Sequence, residues 1–282
     1  MPQKSADRAA RPEPLAARSV NWENLWIVLG RIGLAAAFIG VWQLASGPIL
    51  DPFYFSSPFL IARQIIVEIV DPSFYVDLWV TAVEFVLGYG IGGLLGIALG
   101  ILLARWRIVA RLVDPFLIAL NSIPRIAFAP MLIVWFGIDM ASKVFLAATL
   151  VFFITFFSTL SGVRGVDRAL CDVARLQGAS ERQIFMKVII PSASSWILTG
   201  LKMSLPFALA GVILGEFRVS SKGLGYRLNH YSTVYDMTGA ITMIIIMMII
   251  MMGLTVIADW ADARIMRWRP KDREAGGTIA RA

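Results

Sequence analysis

Residues 172–193 read DVARLQGASERQIFMKVIIPSA, a polar and basic island between two long apolar runs. The preceding and overlapping stretch 168–177, RALCDVARLQ, is rich in helix formers and sets Leu170, Ala174 and Gln177 along one face. Gly178 permits a break in the chain or a close approach by another backbone. Ser180 is followed three residues later by Gln183, the spacing of a capping box, so a second helix is expected from there. Pro191 marks the return into the apolar run that follows. Two short helices joined at a glycine make a docking surface. Periodicity alone also allows a plain amphipathic surface helix.

The composition says what surrounds the island. The chain has 282 residues, of which 58% are hydrophobic and 16% charged, whereas a soluble domain carries about 25% charged residues. A net charge of +7 would suit nucleic acid. However, the basic residues sit at the ends of apolar runs, as membrane orientation requires, so the expected partner is the lipid bilayer and not nucleic acid. Cys171 is the single cysteine, which leaves no internal disulfide, and no CxxC or Cys/His cluster offers a metal site. The first 23 residues have no apolar core and do not form a cleavable signal peptide.

A helix crosses the hydrocarbon with about 20 apolar residues. Six such segments are expected, near 25–46, 77–104, 113–137, 141–162, 194–216 and 237–258, which makes this an all-α integral membrane protein. With the N-terminus inside, the inner segments 1–23, 104–112, 163–193 and 259–282 hold 18 Lys and Arg residues, against five outside. Both termini, and the island within loop 163–193, are therefore expected in the cytoplasm. The chain divides into an N-terminal tail (1–23), a membrane domain (24–260) and a C-terminal tail (261–282).

Within the membrane domain, Gly88, Gly92, Gly96 and Gly100 recur every four residues. They form a smooth stripe for helix packing. The third span, VDPFLIALNSIPRIAFAPMLIVWFGI, holds Pro115, Pro124 and Pro130 beside Asn121, Ser122 and Arg125. Each proline removes a backbone donor, and the freed carbonyls need protein or water partners. Two readings fit Arg125: it faces the bundle interior or a wet cavity, or it snorkels from a displaced span boundary. Glu84 and Lys202 sit about two turns inside their spans, where they either line a path or pair with each other. Glu216 reads as an interfacial carboxylate. In the last span, Met243, Met247 and Met251 fall four apart, a spacing that suits Cu(I), but the surrounding isoleucines and methionines favour packing or lipid contact. His230 reads as a surface residue of an outer loop, 217–236. No GxxxxGK[ST] phosphate loop and no catalytic constellation is present, so the chain is expected to bind no cofactor and not to act as an enzyme.

Asp172-Val-Ala174, Gly178 and Val188-Ile-Ile-Pro191 resemble the cytoplasmic EAA loop of ABC importer permeases. That pattern runs Glu-Ala-Ala, three residues, Gly, nine residues, Ile-x-Leu-Pro. The spacing matches without a gap, with Asp172 in place of glutamate and Val173 in place of the first alanine. SIPRIAFAPMLIVWFGI and GEFRVSSKGLGY are similar to the branch that imports nitrate, sulfonates, taurine and bicarbonate. The resemblance implies a MetI-like transmembrane fold in the bacterial inner membrane. It implies a second permease copy, two cytoplasmic ABC ATPase subunits that carry ATP and Mg, and an extracytoplasmic solute-binding protein. It also implies that Asp172, Ala174, Gln177, Gly178, Ala179 and Pro191 belong to the coupling loop. Asn121, Pro124, Arg125 and Lys202 are the candidates for the translocation path. A self-sufficient secondary transporter is the alternative; such folds show paired repeats with matching broken helices, and only one strongly interrupted span is found here.

Overall fold

The glycine stripe decides how the bundle closes. In the computed structural model, which describes residues 22–266, the chain forms twelve α-helices. The first four are α1 (Trp22–Ala45), α2 (Pro52–Phe55), α3 (Pro58–Val70) and α4 (Pro72–Arg105). Next come α5 (Arg107–Ser122), α6 (Ala129–Phe136), α7 (Met140–Arg164), α8 (Arg168–Leu176) and α9 (Glu181–Ile184). The last are α10 (Ile190–Val219), α11 (Leu224–Thr233) and α12 (Met237–Ile265). Helix α7 lies between α4 and α10 and packs along both. A Cβ at Gly92 would collide with the carbonyl oxygen of Ala148, and one at Gly96 would stand 2.8 Å from that of Phe152. On the other flank, a Cβ at Gly211 would lie 2.7 Å from the Cα of Ala147. The three helices thus meet backbone to backbone, as small residues allow inside a bilayer.

Among the described residues, five helices are long and apolar enough to cross a membrane: Trp26–Ala45, Pro72–Arg105, Met140–Arg164, Glu181–Phe217 and Met237–Ile265. The predicted third span is not one helix. Helix α5 stops at Ser122, Ile123 is extended (ψ 130°), a 3-10 turn covers Arg125–Phe128, and α6 begins with Pro130 in its first turn. Proline explains both breaks: Pro124 pushes Ile123 out of the helical region, and Pro130 fits only where its missing N–H is not needed.

Pro191 behaves differently from its expected role. The helix begun at Glu181 runs through it to Val219, by way of a π turn over Phe185–Ile189 in which the Ile190 N–H donates to the Phe185 carbonyl. Widening the turn just before the proline relieves the clash of its ring with the preceding turn. The outer segment 217–236 contains α11 and is not simply a loop. Helix α12 continues past residue 260 to Ile265. The charges of residues 1–21 and 267–282, on which part of the orientation rests, lie outside the described residues.

The methionine spacing in α12 is packing. Met243 and Met247 are buried with Phe74, Leu224 and Ile246, and Met251 edges the cluster of Phe85, Ala147 and Val151. Met248 and Met252 are exposed on the opposite side. Helix α1 exposes nearly all of its apolar side chains, as a lipid-facing helix does.

The stripe yields a paired expectation. Gly92→Ala should destabilise the protein by about 1–3 kcal/mol through overpacking against α7. Gly90, two residues away, has open space where its Cβ would stand. Gly90→Ala should therefore be neutral or stabilising by up to about 1 kcal/mol. Thermal unfolding of the two variants in one detergent checks the difference in sign.

Candidate functional site: the polar corner, the outer clamp and the broken span

The island folds as a fixed corner. Asp167 caps α8 by accepting from the Ala169 N–H (2.9 Å). At its other end the Ala179 N–H donates to the Ala174 carbonyl (3.0 Å) and the Gly178 N–H to the Arg175 carbonyl (2.9 Å). That bonding is a Schellman cap, whose residue after the helix must be left-handed, and Gly178 has φ +84°. The positions of Ala174, Gly178 and Ala179 thus have a backbone reason. No atom lies within 4 Å of where a Gly178 Cβ would stand, so the glycine answers a conformational demand and not a close contact within the chain. Ser180 and Gln183 form the expected capping box. Arg175 bonds Asp172 (2.8 Å) and, across the corner, Glu181 (2.8 Å), and these two carboxylates raise the affinity of its guanidinium for its proton, the Glu181 bond most.

Helix α8 turns Cys171 inward and leaves Ala174 half-buried. Leu170, Val173 and Leu176 face out, with Leu176 88% exposed. Sequence periodicity grouped Leu170 with Ala174 and Gln177; the outward apolar stripe instead uses residues at i, i+3 and i+6. Exposed leucine and valine on a polar corner are the missed functional candidates. Their signal was the 3-residue spacing itself.

At the opposite end of the long helices, α11 is clamped by Arg227 and by the bonds of its first turn. Arg227 bonds Asp77 (2.5 Å), Glu68 (2.7 Å), Asp71 (2.9 Å) and the Ser73 hydroxyl, and its guanidinium lies 5.7 Å from the centre of the Phe74 ring. The Tyr231 hydroxyl donates to Glu68. Three successive backbone N–H groups open α11: Gly223 donates to Asp77 (2.8 Å), Leu224 to the Thr81 hydroxyl (2.9 Å) and Gly225 to Glu216 (2.6 Å). Glu216 is 1% exposed, so it is a buried cap and not the interfacial carboxylate expected. Beside it, Glu84 bonds Lys143 (2.5 Å), both buried. In the sequence, a lone lysine at a span end gives no sign of its partner.

Bonds from Ser73, then Arg227, hold Asp71 at about 2. Burial would lower the Arg227 proton affinity, but Asp77 and Asp71 more than offset it. Burial, aided by Glu68, pushes Tyr231 up to about 12.

Lys202 pairs with Asp259 (2.9 Å) and Asp262 (2.8 Å) on α12, not with Glu84. Of the four path candidates, the structure joins Asn121, Pro124 and Arg125 at one break. Arg125 donates to the Asn121 carbonyl (3.2 Å) and side-chain oxygen, and its guanidinium lies 4.4 Å over the ring of Phe153, midway along α7. Its Nε is buried without a hydrogen-bond partner among the described residues. Arg125 borders a cavity of about 180 Å³ walled by Phe128, Trp135, Phe145 and Phe153.

Arg227→Gln should free α11, because removing one member of a buried charge group costs about 3–5 kcal/mol. Limited proteolysis near 220–236 reads the release. Arg227→Lys should recover only part of the protection, since an ammonium lacks the planar fork. Asp71 adds stability fully only above the ordinary carboxylate value, and this is lost as pH falls from about 4 towards 2. The difference in thermal midpoint between the native chain and Asp71→Asn should close over the same range.

Known proteins are similar to this chain in sequence and in fold. Residues 96–268 match the family model described as binding-protein-dependent transport system inner membrane component. The chain is 30% identical to the formylaminopyrimidine transport permease protein ThiX of Halalkalibacterium halodurans, over 82% of this chain and 92% of that one. It is 33% identical to the putative aliphatic sulfonates transport permease protein SsuC of Bacillus subtilis, over 69% and 71% of the two chains. An inward-facing structure of the MetNI methionine ABC transporter shares its fold, with TM-score 0.54 and 20% identity over 79% of this chain and 98% of that one. With its MetI-like helical bundle, this chain belongs to the family of binding-protein-dependent transport system inner membrane components, the permease subunits of ABC importers.

Proposed function

We propose that this permease forms the translocation path of an ATP-driven importer as one of two identical membrane subunits. Two cytoplasmic ABC ATPase subunits, which hold ATP and Mg, seat the corner 163–193, and an extracytoplasmic binding protein delivers the solute. Both termini lie in the cytoplasm. The carrying observation is the corner: a loop with capped helix ends whose α8 exposes Leu170, Val173 and Leu176 among the exposed Arg168, Asp172 and Arg175. Such a stripe has the form of a helix-in-groove anchor. Its attachment to the helix that starts at Glu181 and runs to Val219 gives it a lever. When ATP draws the ATPase pair together, the corners follow and the membrane halves turn as bodies, opening the path outward; hydrolysis resets them. A secondary transporter gains no support, because among the described residues the break at 123–128 has no matching partner span.

For the solute we favour a small anion such as a sulfonate or nitrate. Arg125, with an unbonded Nε midway along α7, supplies the cation, and the SsuC relatives are named for aliphatic sulfonates. Lys202 is committed to α12 and serves the path less directly. The aromatic walls around Arg125 favour a second reading, a planar heterocycle, in keeping with the name of the ThiX relative. Co-purification of this chain with an ABC ATPase from its own membranes, followed by ATP hydrolysis stimulated by each solute with its binding protein, tests the assignment. Failure to recover any ATPase sinks it.

Two substitutions test the corner. If Gly178 serves the left-handed cap, Gly178→Asn should keep most of the transport-coupled hydrolysis and Gly178→Ala should lose more of it, because Asn tolerates that conformation. If the glycine instead admits the ATPase backbone, both side chains should fail alike. Leu176→Ala should weaken ATPase capture at least tenfold, with membrane abundance unchanged.

Single cysteines at 121 to 129, in a chain lacking Cys171, test the path. Labelling by a water-soluble thiol reagent should change at several positions when nucleotide is trapped. Uniform protection in both states removes the broken span from the path.

A further inference from the structure

Beneath the corner, on its inward side, lies a cavity of about 1180 Å³ bounded by the end of α4, the start of α5, the end of α7 and helices α8 and α9. Five arginines and three carboxylates line it. The carboxylates are taken: Asp172 and Glu181 by Arg175, and Asp114 by Arg164 at 3.6 Å. Arg111 and Arg168 form no ion pair or hydrogen bond among the described residues. Arg105 sets its guanidinium face on the ring of Phe185, 5.2 Å away, and also acts on Glu181 electrostatically. Arg111 of α5 and Arg168 of α8 therefore share one cavity with no acceptor of their own among the described residues, beside Arg105 of α4. Their planar forks match the oxygens of a phosphate or sulfonate.

We propose that this cavity is an oxyanion site, filled by the phosphate of an anionic phospholipid headgroup. It is far larger than a free ion, and Trp106, exposed at its rim, is the residue type that settles at the membrane interface. Basic pockets between helices on the cytoplasmic side suit such headgroups. A phosphate bridging Arg111 and Arg168 ties the membrane helices to the corner across the joint through which coupling runs. The proposal rests on the cytoplasmic placement of residues 163–193, but its test reads binding without any ATPase, so the two fail separately.

The full chain is placed in nanodiscs of phosphatidylcholine, with or without phosphatidylglycerol, and bound phosphatidylglycerol is counted by native mass spectrometry. The native chain should retain it and gain thermal stability. Arg111→Gln with Arg168→Gln should weaken retention about tenfold, whereas Arg111→Lys with Arg168→Lys should keep most of it. Arg31→Gln, on α1, is the control. Inorganic phosphate added to phosphatidylcholine discs separates the sources: an equal stabilisation there shows the same site taking a free oxyanion. Equal retention by the native and double-Gln chains, with no phosphate effect, overturns the proposal. If the double-Gln chain does not fold, the single Gln variants are compared, and unchanged retention in both has the same force.

Discussion

The backbone-to-backbone seating of α7 between α4 and α10 is the constraint on which the rest depends. A lipid solvent supplies no hydrophobic drive for helices to associate, so close packing must do it. Glycines at 88, 92, 96 and 100 on α4, and at 200, 211 and 215 on α10, give α7 no room for even a methyl group on either flank. The buried Glu84–Lys143 pair sits in the same seam. Removing one partner of such a pair leaves an uncompensated buried charge, so the pair ties α7 to α4 at this level of the seam.

From that core two polar assemblies extend in opposite directions. At one end, Asp77, Thr81 and Glu216, on α4 and α10, hold the first N–H groups of α11, and Arg227 fastens the same helix to the α3–α4 junction. At the other end, α10 continues through its π turn into the corner. Helix α10 therefore helps to anchor α11 at one end and carries the corner at the other. A displacement applied at the corner has a stiff route to the α11 end, because packed helices switch between discrete arrangements and do not deform smoothly.

Much of this was legible in the residues, and the gaps have physical causes. The capping box at Ser180 and Gln183, the glycine stripe and the irregular third span are local or periodic signals, and each appears in the structure. The partners of Glu84, Lys202 and Arg227 were not legible. They join positions 57 to 159 residues apart, and a single charge carries no mark of its partner. Gly178 was read as a joint; only the backbone bonds of Ala174, Arg175 and Ala179 show that it locks the corner. Pro191 was read as a boundary, since sequence rules for proline assume α-helical spacing and a π turn evades them.

The central claim is that each permease chain moves as one body between corner and outer helix. In the proposed two-permease transporter reconstituted with its ATPase, pulsed electron resonance measures this in two samples, one labelled at residues 176 and 229 of a single chain and one labelled at residue 176 of each chain. Trapping ATP should leave the distance within a chain unchanged, while the distance between the two residue-176 labels of the paired chains shortens. A change within the chain as large as that between chains would contradict the account.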